Sequence, residues 1–150
     1  MLLPKILLFG ENGQVGWELR HSLAPLGHLV CVDYPQVDFT KPDSIRHWIS
    51  VTAPDIVINA AAYTAVDKAE SEPGLAMKIN GEAPGILAEE TKKRHILLIH
   101  SYTDYVFDGN KTVPYGEEDV TNPQNVYGHT KLAGRPIQRG PIQRGLAVVC

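Results

Sequence analysis

The chain has 150 residues, 43% of them hydrophobic, and a formal net charge of −3 at pH 7. That length fits one domain with a real core, and the mild, scattered charge leaves no electrostatic footprint for nucleic acid or an anionic membrane. No apolar run approaches the roughly twenty residues of a membrane-spanning helix, which points to a cytoplasmic protein.

The first apolar run, 5–10, follows a short N-terminal stretch broken by Lys5 and lacking a cleavage signature, so it reads as a core strand and not a signal peptide. Gly10, Gly13 and Gly16 come next, at the junction with a predicted helix over 14–24. In that context each glycine has its own role. Gly10 suits the tight turn, Gly13 the close approach of backbone to a pyrophosphate, and Gly16 the packing of helix on sheet. Phosphates would meet the unpaired N–H groups at the helix start. A second strand over 29–33 contains Cys31, read with Cys150 as a small apolar residue and not as half of a disulfide. Asp33 ends that strand at the distance expected of a carboxylate that binds the adenosine ribose. A carboxylate there favours NAD, and Asp38 and Phe39 follow within reach of an adenine.

A helix over 43–51, a strand over 55–60, a long helix over 73–94 and a strand over 96–101 continue the alternation. Pro84 falls inside the long helix and should kink it. Continuous apolar strands alternating with helices predict an α/β fold, a Rossmann-type doubly wound parallel sheet with helices on both faces. A last helix over 123–134 carries Tyr127 and Lys131, four apart and therefore on one face. A phenol is a useful acid near neutral pH once a neighbouring ammonium favours its ionised form. The six histidines have no metal-ligand spacing, and no metal is expected. The segment 136–145 repeats Pro-Ile-Gln-Arg-Gly in tandem before an apolar run over 146–150, so 1–134 reads as the dinucleotide domain and 135–150 as an atypical tail.

Four segments carry a resemblance: the Gly10/Gly13/Gly16 turn, the block from Asn59 to Glu70, the run from Thr103 to Gly109, and Tyr127-x-x-x-Lys131. Over residues 1 to about 134 they are similar to the extended short-chain dehydrogenase/reductases, within them to the dTDP-4-dehydrorhamnose reductase branch. The resemblance implies NADPH or NADH as cofactor, lined by Gly10, Gly13, Gln14, Val15, Gly16, Asp33, Asp38, Phe39, Ala61, Ala62, Tyr63, Thr64, Ser101, Tyr127 and Lys131. It implies a nucleotide-sugar substrate, dTDP-4-dehydro-6-deoxy-L-mannose, with Tyr127 as proton donor and Lys131 lowering its pKa. Thr103 would hold the reacting carbonyl, and Asp104 would lie beside the substrate.

Three departures stand out. Ser101-Tyr102-Thr103 looks transposed relative to the branch's Tyr-Ser-Thr and would crowd Thr103. Gly134-Arg135-Pro136 replaces Gly-Glu and a continuing helix. Members of the branch are about twice as long, so a C-terminal substrate domain is expected to be absent here, leaving an apolar face that a homo-oligomer would cover. Two other readings compete with a reductase. One is a non-catalytic dinucleotide-binding or regulatory protein, as in the related regulatory subunit of methionine adenosyltransferase. The other is a sugar epimerase or dehydratase of the same family.

Overall fold

In the computed structural model, residues 3–116 and 118–134 and the backbone of 146–149 are described. The strands are β1 (Lys5–Phe9), β2 (His28–Val32), β3 (Ile56–Asn59), β4 (Leu97–Ser101) and β5 (Leu146–Val149). They form one parallel sheet in the order β2-β1-β3-β4-β5. Leu8 of β1 lies between Cys31 of β2 and Ile58 of β3, and β5 extends the sheet beside β4. The tandem repeat over 136–145 and Cys150 lie outside the described residues. Cys31 is a free thiol, half-buried, with its pKa raised by burial.

Strand periodicity sorts the apolar residues onto two faces. Leu7 and Phe9 of β1, Val57 of β3 and Leu98 of β4 meet Ile45 and Ile49 of helix α2 (Pro42–Thr52) and Leu87 of α5 (Ala83–Lys93). Ile6, Leu8 and Ile58 point the other way, toward Leu19 and Leu23 of α1 (Gln14–Leu23). Helices therefore cover both faces of the sheet, and the doubly wound expectation holds. Each fully buried Leu or Ile contributes about 1.5–3 kcal/mol over its exposed state. Phe9 meets Phe39 edge to face, with ring centroids 5.5 Å apart, which closes the core beneath the C-terminal end of β1.

The long helix expected over 73–94 is three pieces. Helix α4 (Pro73–Met77) runs into a wider π-helical turn (Lys78–Glu82), and α5 follows. The wide turn absorbs two local conflicts. It buries Asn80, whose side chain bonds elsewhere, and it delivers Pro84 to the start of α5, where the missing N–H costs nothing. A short helix, α3 (Val66–Ala69), forms within the block from Asn59 to Glu70. Helix α6 (Val126–Ala133) starts later than expected because Asn125 caps it, its Oδ1 accepting from Gly128 N at 2.7 Å.

Candidate functional site

A cleft of about 920 Å³ opens at the C-terminal ends of β1 and β3, where the strand order reverses. Ligands bind at such switch points because loops from adjacent strands run in opposite directions there. Its floor is the glycine turn. Gly10 takes φ +86°, and a Cβ on it would come within 2.5 Å of the Ala61 nitrogen. Gly16 sits under the turn, where a Cβ would fall 1.8 Å from the Gly10 oxygen. Gly13 has open space instead, its Cβ position meeting only the Gly10 oxygen at 3.6 Å. The start of α1 faces this space, with first-turn N–H groups that have no carbonyl four residues back. A diphosphate fits such a cradle.

Asp33 stands at the rim, tied into the turn. Its Oδ2 accepts from Asn12 N at 2.9 Å and its Oδ1 from Tyr34 N at 2.7 Å. Asp38 accepts from Thr40 N and Oγ1 at 2.9 and 2.6 Å, and these bonds hold its pKa below the usual carboxylate range. Of the residues expected around a dinucleotide, Gly10, Gly13, Gln14, Val15, Asp33, Asp38, Phe39, Ala61, Ala62 and Thr64 line the cleft. Sequence reasoning missed Asn12, Tyr34, Val37, Thr40, Ala60, Leu75 and Ile79. Asn12 and Thr40 had a signal in their adjacency to the turn and to Asp38, whereas Leu75 and Ile79 arrive through tertiary packing alone.

Tyr63 does not line the cleft. Its phenol donates to Glu72 Oε2 at 2.6 Å, which pushes its pKa up to about 12. Its main chain is gripped by Asn80, which accepts from Tyr63 N at 2.8 Å and donates to Tyr63 O at 3.0 Å. Asn80 also donates to Thr130 Oγ1 at 3.2 Å, joining the cleft loop to α6. Glu70 accepts from Val126 N at 2.8 Å at the start of the same helix. These residues anchor the cleft loop to α6.

Thr103, Tyr127 and Lys131 gather at the end of β4. Lys131 is buried, donates to the Ser101 carbonyl at 2.9 Å, and has its Nζ 6.0 Å from the centre of the Tyr102 ring. The transposed Tyr102 thus lies beside the ammonium. Thr103 keeps its own contacts, with Oγ1 accepting from Tyr105 N at 3.2 Å and donating to Asp104 at 3.4 Å. The lowered phenol pKa expected for Tyr127 is corrected by the structure. Burial is the largest influence and raises it, with a Thr103 hydrogen bond opposing and Tyr105 and Asp104 reinforcing the rise. His100 lies behind this group, buried, with Asn59 Nδ2 3.0 Å from its Nδ1. Burial and then the Lys131 charge depress its pKa to about 4, so the ring is neutral. Among the described residues no cluster of His, Cys, Asp and Glu could hold a metal ion.

Residues 4–141 match the family described as RmlD substrate binding domain. The chain is 52% identical over 130 residues to a dTDP-4-dehydrorhamnose reductase of Burkholderia thailandensis, covering 87% of this chain and 44% of that protein. It is 50% identical over 133 residues to the Escherichia coli reductase, again covering 44% of that protein. The chain therefore spans less than half the length of these curated relatives. The dTDP-4-dehydrorhamnose reductase of Bacillus anthracis, solved in complex with NADP, superposes with a TM-score of 0.90 at 30% identity, over 98% of this chain and 52% of that one. The corresponding structure from Clostridium acetobutylicum gives 0.88 at 36% identity, over 96% of this chain and 51% of that one.

Proposed function

The chain belongs to the RmlD substrate binding domain family, and from that premise we propose that it carries the dinucleotide-binding, acid-bearing half of a dTDP-4-dehydrorhamnose reductase. The observation that carries this reading is convergence on one sheet edge. The glycine turn follows β1, the cleft loop follows β3, and Thr103 with Lys131 stands at the end of β4. In this reading residues 1–134 form the dinucleotide unit, and the partner is a nucleotide-sugar, dTDP-4-dehydro-6-deoxy-L-mannose.

NADH or NADPH fits the site, because Gly13 leaves room where a phosphate must approach and α1 offers unpaired N–H groups. When bound, the nicotinamide supplies hydride. The chain's own groups do the rest. Asp33 binds the adenosine ribose, and Phe39 and Ala62 supply apolar wall. Thr103 donates a hydrogen bond to the carbonyl oxygen of the sugar, and Tyr127 gives that oxygen its proton. The raised pKa of Tyr127 keeps the phenol protonated, the form that a reduction consumes. Lys131, held by the Ser101 carbonyl, stabilises the phenolate left behind. Asp104, exposed beside Thr103, contacts the substrate.

A fluorescence titration of the folded chain with NADH and NADPH tests this reading. Saturable binding is expected, and it should be lost in Gly13→Val. A folded sample that binds neither nucleotide would overturn the proposal.

A further inference from the structure

Asn59 and His100 face each other across the last paired rung of β3 and β4, and both side chains are buried. A carboxamide is nearly symmetric in shape, so its hydrogen bonds decide which way round it sits. Asn59 Oδ1 accepts from Ala61 N at 3.1 Å, which leaves its Nδ2, a donor, 3.0 Å from His100 Nδ1. His100 Nδ1 therefore accepts, and the proton of the neutral ring lies on Nε2. Burial beside the Lys131 ammonium keeps the ring neutral. Among the described residues Nε2 has no hydrogen-bond partner, so the tautomer is set by Asn59 and not from the other side of the ring. Ala61, in turn, is the wall on which the glycine turn rests. A Cβ on Gly10 would meet Ala61 N at 2.5 Å and Ala61 Cα at 2.7 Å, and both residues line the cleft.

We propose that His100 is a positioning residue for the nucleotide cleft, acting through the Asn59 amide and the Ala61 backbone. The inference rests on the dinucleotide reading above and deepens it, because His100 does not itself line the cleft. With an acceptor at His100 Nδ1, the Asn59 amide has one orientation that satisfies both of its ends. Without that acceptor, either the Asn59 donor is buried unpaired or the amide turns over and sets its donor against Ala61 N. Both outcomes loosen the segment that seats the phosphate-facing turn.

Two polar, uncharged replacements separate this role from simple packing. His100→Asn sets an oxygen close to the place of Nδ1, whereas the oxygen of His100→Gln falls nearer the place of Nε2, away from Asn59. In fluorescence titrations of folded samples, His100→Asn should bind NADH within about twofold of the unmodified chain, and His100→Gln about three- to tenfold more weakly. Urea unfolding of the same samples records their stability. A role confined to packing would lower stability in both variants and leave their NADH affinities alike. Nitrogen NMR of the unmodified chain with isotope-labelled histidine, which needs no variant to fold, should show His100 protonated on Nε2 at neutral pH. A proton on Nδ1 there, or equal NADH affinity for the two variants, overturns the positioning role and leaves the dinucleotide site standing. Failure of the unmodified chain to bind NADH overturns the role and the site together.

Discussion

Gly13 and Gly16 stand three residues apart in one turn, yet a side chain would do different things at the two. At Gly16 an added Cβ strikes the Gly10 carbonyl, so Gly16→Ala should destabilise the fold by about 1–3 kcal/mol, measured by urea unfolding. At Gly13 the backbone is extended, with φ −75° and ψ 165°, and the space above is open. Gly13→Val should therefore fold with near-normal stability and lose dinucleotide binding, which a denaturation curve and a titration separate. His100 gives a prediction in pH. Its folded pKa of about 4 lies below the ordinary histidine value of 6.5, so the unfolded chain takes up that proton more readily. The associated stability is full above pH 6.5 and is lost as pH falls toward 4, by roughly 3 kcal/mol at about 1.36 kcal/mol per unit. Chemical denaturation between pH 7 and 4.5 should record that slope, and His100→Gln should flatten it. The places of Gly10, Gly13 and Asp33 at the cleft are legible in the sequence because the turn that sets them is local. The anchoring of Tyr63 is not, since Glu72 and Asn80 reach it through tertiary packing.

Most elements are legible too, because continuous apolar runs with helical segments between them leave few alternatives. β1, β2, β3 and β4 fall within a residue or so of their expected ends. The misses have physical causes. The long helix divides at the π-helical turn because Asn80 is worth more bonded to Tyr63 and Thr130 than exposed on a regular helix. Helix α6 starts at Val126, and not at Pro123, because Asn125 supplies a cap. That cap is testable. Asn125→Ala should cost about 1 kcal/mol in urea unfolding, as loss of a side-chain cap does. Glu70→Gln, which keeps an acceptor for Val126 N, should cost less than Glu70→Ala.

For the whole molecule, the sheet order and the two core faces decide where chemistry can occur, and the span relative to its relatives decides how much. The chain matches 44% of the Burkholderia thailandensis reductase, and the other half of that protein has no counterpart in these 150 residues. Substrate orientation supplies up to about 7–11 kcal/mol of catalysis. The 150-residue chain should therefore bind NADH yet oxidise it with the dTDP-4-keto sugar at no appreciable rate, followed by nicotinamide absorbance. In a reductase of full length, Tyr127→Phe should leave nucleotide binding intact and lower turnover about a hundredfold or more. The cleft itself draws on β1 for its floor and on the ends of β2 and β3 for its walls. A partly unfolded chain that has lost either neighbour of β1 has no cleft. A nucleotide seated there consequently recognises only the completed fold, and by mass action a concentration about one hundred times Kd would add about 2.7 kcal/mol to unfolding. Heat resistance and survival against proteases would then rise and fall with the supply of reduced nucleotide around the protein.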